Sequence, residues 1–250
     1  MAEVPDERPS GLANRFGLVE ALFGFLGGEL AGSLLAGAAN ALAGHTSRLG
    51  EDVGGLVGLW LGLLAAVLAA SSAARRRGER PGVLDRLHAD YGLALRPSDI
   101  PLGIAVGLAS AYLLVPALTL PLTPFVHHLS ERLSAPSKQL AEHVDGTGYV
   151  ALALLVCVGT PVVEELFFRG LVLRAALGRL GGGRAGTVGA VLVTGALFGL
   201  AHFQPIELLA LAGFGCVLCV LALRTGRLGA GMFAHATFNA LTIISLARSH

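Results

Sequence analysis

The stretch from Pro161 to Gly170 limits what this chain can fold into more than any other, because it places charge inside long apolar sequence. It contains two adjacent carboxylates, Glu164 and Glu165, and a guanidinium, Arg169. A charged side chain at the centre of a membrane helix costs about 2.5–3.5 kcal/mol, so three unpaired charges would cost roughly 8–10 kcal/mol. Such groups are retained when they pair, line a wet cavity or take part in chemistry.

The composition excludes an ordinary soluble domain. Charged residues make up 14% of the chain and the mean hydropathy is +0.69, whereas soluble domains have about 25% charged residues. Too little polar material is present to cover a surface in water, so we predict a polytopic protein of the lipid bilayer. The net charge of +1 does not indicate a nucleic-acid partner.

Seven apolar stretches are long enough for membrane helices, and we predict an all-α polytopic membrane protein that encloses an intramembrane polar cavity. The predicted spans are residues 16–43, 53–74, 100–122, 149–178, 185–202, 206–223 and 228–247. The stretch 149–178 exceeds the roughly 20 residues of an upright span. It is therefore either one long tilted helix or a helix that breaks near Pro161. A break would raise the count to eight and move the C-terminus to the inner side.

Basic loops set the predicted orientation. The arginine run 75–77 follows the second span, and basic loops stay in the cytoplasm. We therefore expect a multi-pass protein of the plasma membrane, with residues 1–15 as a disordered cytoplasmic tail. Residues 16–148 supply the first spans and an outer loop at 123–148. Residues 149–247 form the predicted core that holds the polar side chains.

Both early spans carry glycine at every fourth position. The residues are Gly24, Gly28 and Gly32 in the first span and Gly54, Gly58 and Gly62 in the second. This spacing lets helix backbones approach closely in lipid. We expect close helix packing, although the spacing assigns no particular partner.

Within Pro161 to Gly170, the spacing separates the two carboxylates. Glu165 and Arg169 are four residues apart, so they can form an ion pair on one helix face. Glu164 is rotated from Glu165 by about 100° and shares Arg169 less well. We therefore interpret Glu165–Arg169 as a structural ion pair and Glu164 as the carboxylate left free to face a cavity.

Polar side chains also recur at membrane depth on later spans. His202 closes the fifth span, and His235 and Asn239 lie four residues apart on one face of the seventh. A carboxylate in an apolar, partly wet pocket can act as a general base on water. Glu164 is the candidate base, with His202 holding or polarising the water. His235 and Asn239 can donate hydrogen bonds to a developing oxyanion, so the predicted reaction is intramembrane peptide-bond hydrolysis.

Three motifs in this order resemble the CAAX protease and bacteriocin-processing family (CPBP, or Abi) of intramembrane proteases, relatives of the type II CAAX prenyl endopeptidase. The motifs are EExxxR (Glu164, Glu165, Arg169), FxxxH (Phe198, His202) and HxxxN (His235, Asn239). The resemblance covers about residues 149–247. It implies an endopeptidase acting on a membrane peptide or protein, with Glu164 as the water-activating base and His202, His235 and Asn239 completing the site.

The resemblance leaves the cofactor open between none and zinc. The family is commonly labelled metalloprotease, and a zinc enzyme would bind its metal with Glu164, His202 and His235. However, the chain has no HExxH motif and no compact pair of histidine ligands on one helix. The sequence therefore favours a glutamate mechanism without a metal over the zinc alternative.

Two other functions fit the same residues. One is a catalytically inactive membrane scaffold or bacteriocin-immunity protein of the same fold. The other is a small proton-coupled transporter in which the glutamates and histidines relay protons. Transporters tend to contain internal repeats, and residues 16–122 show no similarity to residues 149–247, which counts against the transporter.

Overall fold

The computed structural model describes residues 17–43, 48–73, 82–129, 131–135, 146–181 and 183–247, and these form helices and connecting turns without a strand. The main helices are α1 (Leu18–Ala43), α2 (Arg48–Ala73), α3 (Val83–Tyr91), α4 (Asp99–Leu122), α5 (Gly146–Leu180), α6 (Arg184–Leu200), α7 (Leu208–Thr225) and α8 (Gly229–Ala247). The predicted all-α fold is therefore confirmed. The predicted tail 1–15, the arginine run 75–77 and residues 136–145 of the predicted outer loop lie outside the described residues.

Within the described part of the chain, five helices are long and apolar enough to cross a membrane: α1, α2, α4, α5 and α7. Helix α6 is apolar but has 17 residues. Helix α8 has 19 residues and is not among the five. A multi-pass membrane protein is supported, while the count of seven spans stays a prediction.

The outward face of α1 is apolar, as contact with lipid requires. Leu22, Leu26, Leu30 and Leu34 are each more than half exposed. They follow one another at four-residue spacing, so they form a single stripe along the helix. A stripe of this size, turned away from the protein, is expected at a lipid or protein contact rather than in water.

Helices α1 and α2 pack against each other through their glycines. A Cβ added at Gly58 would collide with the backbone of Gly32, and one at Gly62 would collide with Gly28. The two glycine stripes predicted as contact surfaces therefore face each other. Their spacing alone did not assign either stripe this partner.

Helix α5 is one continuous helix of 35 residues. It contains two π-helical segments, Leu155–Gly159 and Glu165–Val172, on either side of Pro161. The structure therefore shows the long unbroken helix, and the predicted alternative of a break near Pro161 is wrong. Proline has no backbone N–H to donate. The π segment before Pro161 changes which carbonyl lacks a donor, because its hydrogen bonds reach five residues back instead of four.

An ion pair holds the start of α8 against the start of α4. Arg227 lies in the short connection between α7 and α8, and its Nε donates to both carboxylate oxygens of Asp99 at 3.0 Å. Asp99 is fully buried. Because a buried carboxylate with a charged partner strongly restricts the backbone that carries it, this contact fixes the N-terminal end of the helix that carries His235 and Asn239.

Candidate active site

Four of the six predicted site residues line one cavity of about 390 Å³. Glu164 reaches it from α5, His202 from the turn after α6, and His235 and Asn239 from α8. The other two predicted residues, Glu165 and Arg169, are fully buried behind the cavity wall. The structure thus brings together residues that are up to 75 positions apart in the sequence, since 239 − 164 = 75.

Glu164 lines this cavity and has an unsatisfied carboxylate oxygen. The residue is 8% exposed, and its Oε2 has no hydrogen-bond partner among the described residues. The same oxygen lies 3.8 Å from Nε2 of His235, which is too long for a good hydrogen bond. A buried, unpartnered carboxylate oxygen needs a donor from whatever enters the cavity. A water molecule there could donate to Glu164 and lose its proton to it.

Glu165 and Arg169 form the predicted ion pair. Nη1 of Arg169 lies 2.8 Å from Oε1 of Glu165, and both side chains have no solvent exposure. Nη2 of Arg169 also donates to the carbonyl oxygen of Gly215 at 3.1 Å, and the guanidinium carbon lies 4.5 Å from the centre of the Phe198 ring. The guanidinium is therefore held by α5, α6 and α7 together.

Glu165 has a second partner that the four-residue spacing did not predict. Its Oε1 also lies 3.2 Å from Nδ1 of His235. An ionised carboxylate only accepts hydrogen bonds, so Nδ1 of His235 carries a proton and Nε2 is the nitrogen that faces Glu164. Arg169, Glu165, His235 and Glu164 therefore form one continuous line of ionisable groups. With His235 protonated, their formal charges sum to zero.

His202 lies in the turn that follows α6, and its ring orientation is fixed by the helix end. Nδ1 is 2.7 Å from the carbonyl oxygen of Phe198, and the two rings are 4.8 Å apart. A carbonyl oxygen only accepts hydrogen bonds, so Nδ1 carries the proton and Nε2 of the neutral ring is an acceptor. This tautomer allows His202 to accept a hydrogen bond from a water molecule in the cavity.

Asn239 donates from Nδ2 to the carbonyl oxygen of Val156 at 2.9 Å. The π turn explains why this oxygen needs a donor. The N–H of Thr160 bonds the carbonyl of Leu155, five residues back, so the next donor in that register would be Pro161, which has no N–H. Asn239 supplies the missing donor, and its second N–H and its Oδ1 remain for the cavity.

Phe198 has a larger structural role than its place in a motif indicated. Its buried ring lies 5.2 Å from Phe168 and 5.6 Å from His235, and it also contacts His202 and the Arg169 guanidinium. Edge-to-face aromatic contacts restrict ring orientation. The ring therefore contacts both histidines and restricts their orientation.

Two polar residues that sequence reasoning missed, Gln204 and Glu207, also line the cavity. Burial raises the pKa of Glu207 to about 7. A sequence signal was available, because Glu207 is the only acidic residue after Glu165. An isolated acidic residue beside a predicted apolar span is a candidate for a cavity position.

The alternative zinc ligands are of suitable type, since a carboxylate and neutral imidazole nitrogens both bind zinc. In the described part of the chain, however, no group of three or more His, Cys, Asp and Glu side chains is arranged to hold a metal ion. We therefore derive no step through a metal, and the zinc alternative remains a prediction that a chelator can test.

A second, apolar cavity of about 370 Å³ adjoins the polar one between α1, α5 and α6. Phe25, Phe168 and Ala201 line both cavities. The remaining lining of the second cavity is leucine, alanine, valine and phenylalanine. The polar site therefore has an apolar compartment directly beside it.

Comparison with known protein families gives a match to part of the chain. Residues 146–241 match the family model described as type II CAAX prenyl endopeptidase Rce1-like. This range contains all three motifs, so the resemblance to the CPBP family is confirmed for this part of the chain. No curated protein and no solved structure matches the chain.

Proposed function

Because residues 146–241 are similar to the type II CAAX prenyl endopeptidases, we propose that the chain is an intramembrane endopeptidase. Its substrate is a membrane peptide or protein, and its nucleophile is a water molecule activated by Glu164. One observation carries the proposal. The buried Oε2 of Glu164 has no hydrogen-bond partner among the described residues, and Glu164 lines a cavity together with His202, His235 and Asn239.

The first half of the reaction uses Glu164 and His202. Glu164 accepts a proton from water while the water oxygen bonds to the substrate carbonyl carbon. Nε2 of His202 accepts a hydrogen bond from the other O–H of the same water and so sets the direction of attack. The tautomer of His202, fixed by the Phe198 carbonyl, supports this role.

The second half uses α8. The carbonyl oxygen becomes an oxyanion, and protonated His235 through Nε2 and the second N–H of Asn239 are the available donors. The carbon–nitrogen bond then breaks, and Glu164 returns its proton to the departing nitrogen. The products are a carboxylic acid and an amine, so the atoms of one water molecule are fully accounted for.

Glu165 and Arg169 are positioning residues in this proposal. Glu165 holds Nδ1 of His235 at 3.2 Å and so keeps Nε2 directed to Glu164 and the cavity. Arg169 offsets the negative charge of Glu165, with which it forms a fully buried ion pair. Arg169 and Glu165 cancel each other's formal charges, so the charge that His235 carries when protonated is balanced by Glu164.

The surroundings of the site support a substrate with apolar side chains. The adjoining apolar cavity of about 370 Å³ can receive such a side chain while the scissile bond lies next to Glu164. We propose that the protein lies in the plasma membrane with its N-terminus in the cytoplasm, because the sequence at 75–77 is basic.

The proposal is tested with purified protein in detergent and fluorogenic peptides. Glu164→Gln and His202→Ala should each lower kcat/KM by about 100-fold or more, because each removes a group that moves or orients a proton. Glu131→Gln is the matched control, since Glu131 is largely exposed and does not line the cavity. If Glu164→Gln and His202→Ala both cleave like the parent, the proposal fails, and the inactive scaffold or immunity protein takes its place.

A chelator decides the metal question in the same assay. Full activity after exhaustive chelation would exclude the zinc alternative, whereas loss of activity that zinc restores would support it. The second result would reassign Glu164, His202 and His235 as ligands.

A further inference from the structure

Glu207 has no role in the proposed catalytic mechanism. It immediately precedes α7, is half-buried and lines the same cavity as Glu164. Its neighbour Gln204 is hydrogen-bonded to it: in the orientation that satisfies both groups, the Gln204 amide nitrogen lies 3.1 Å and 3.3 Å from the two carboxylate oxygens. Glu207 therefore has a neutral donor and no described cationic partner.

The charges around the cavity do not balance. Arg169 lies behind the wall and is committed to Glu165, whereas Glu164 and Glu207 face the cavity itself. The other titratable groups that line it are His202 and His235, and no described lysine or arginine does so. The lining from α1 and α2 is Phe25, Leu56, Leu59 and Leu63. The cavity is thus an acidic chamber with apolar walls, and low-polarity walls strengthen its attraction for a cation.

We propose that Glu207, oriented by Gln204, forms a specificity subsite for a lysine or arginine side chain of the substrate close to the scissile bond. The inference rests on the proposed endopeptidase function and adds a substrate class to it. A cationic side chain would supply the charge partner that Glu207 lacks. An arginine can bond both carboxylate oxygens at once. The Gln204 amide keeps the carboxylate in place before the substrate arrives.

The titration of Glu207 gives this subsite a pH signature. Burial raises its pKa to about 7, so without substrate it is partly protonated near neutral pH. A bound cation favours the ionised form, so preference for a cationic residue should increase as the pH rises through about 7 and disappear below it. Glu164, His202 and His235 also line this cavity and carry ionisable groups, so the pH dependence of overall activity does not isolate Glu207.

The test therefore compares two peptides that differ at one position. One carries arginine and the other carries citrulline, its neutral isostere, with the pair scanned through the positions that flank the cleaved bond. The measured quantity is the ratio of their kcat/KM values, in which pH effects on the chemical step cancel. At one position we expect the parent to prefer arginine by about fivefold above pH 8, which is the range of a partly exposed ion pair. Below pH 6 we expect no preference, with a ratio of about one.

Variants then locate the effect. Glu207→Gln should bring the ratio to about one at every pH, and Glu207→Asp should retain part of the preference. Glu131→Gln, at a position that does not line the cavity, should behave like the parent. Equal ratios in the parent and Glu207→Gln, or no preference at any position, would overturn the subsite while leaving the protease intact.

Binding separates this inference from the proposed function. Fluorescence anisotropy with the Glu164→Ala variant measures the affinity for labelled arginine and citrulline peptides without cleavage. In one outcome the parent cleaves neither peptide while Glu164→Ala binds the arginine peptide more tightly than the citrulline peptide. If Glu207→Gln then abolishes this difference in affinity, the subsite is supported and the protease is not. Absence of both cleavage and selective binding would overturn both.

Discussion

Removing one charge of the Glu165–Arg169 pair should destabilise the protein more than removing both. The two side chains have no solvent exposure and their closest atoms are 2.8 Å apart. Breaking a buried pair by removing one partner costs about 3–5 kcal/mol, because the other charge is left uncompensated, whereas replacing both partners is often close to neutral. We therefore expect Arg169→Met to lower the free energy of unfolding by about 3–5 kcal/mol.

The double variant Glu165→Gln/Arg169→Met sets the scale of the remaining losses. It lacks the hydrogen bond from Arg169 to the Gly215 carbonyl at 3.1 Å and the contact with the Phe198 ring. These contacts contribute about 1–2 kcal/mol. The double variant should therefore be more stable than Arg169→Met alone by about 2 kcal/mol.

Denaturant titration in detergent measures this as a double-mutant cycle over the parent, the two single variants and the double variant. Retention of secondary structure by circular dichroism shows that each variant is folded before the titration starts. Additive destabilisation, with a coupling below about 0.5 kcal/mol, would refute the argument that the two charges neutralise each other.

Two further predictions concern the helices that frame the site. Asn239→Ala should lower the free energy of unfolding by about 1–3 kcal/mol, because it leaves the Val156 carbonyl without a donor. In a Pro161→Ala background a backbone N–H becomes available, so the same substitution should cost less than about 0.5 kcal/mol. An undiminished cost there would contradict the explanation. In the α1–α2 contact, Gly62→Ala should destabilise by about 1–3 kcal/mol through overpacking, while Gly55→Ala, whose Cβ meets no atom within 4 Å, is the matched control. Equal melting temperatures would contradict the close approach.

The fold could be predicted from the sequence because its main signal is local. Long apolar runs predict membrane helices directly, and the ends of α1, α4 and α7 fall within a few residues of the predicted spans. The glycine spacing predicted that α1 and α2 each pack closely against another helix, but it did not predict which helix. That the two stripes meet depends on the relative rotation of the helices, which no local pattern encodes.

The candidate site divides in the same way. Glu165 and Arg169 are on one helix, so their spacing was enough to predict the ion pair that the structure contains. The contact between Glu165 and His235 joins residues 70 positions apart. It changes the interpretation of Glu165 from a structural charge to the group that fixes the His235 tautomer. Glu207 was missed although it is the only acidic residue after Glu165, because its place at the end of an apolar span does not show which way its side chain faces.

Proline at position 161 explains how the two π segments of α5 serve the site. In an ordinary α-helix the proline would leave a carbonyl without a donor and force a kink. Here the π register moves the orphaned carbonyl to Val156, where Asn239 from α8 donates to it. Three residues after Pro161, Glu164 lines the cavity, and the second π segment carries Glu165 and Arg169, which are buried outside the cavity lining. The missing proline donor is thus compensated by a hydrogen bond that ties α5 to α8 about two turns before the carboxylates.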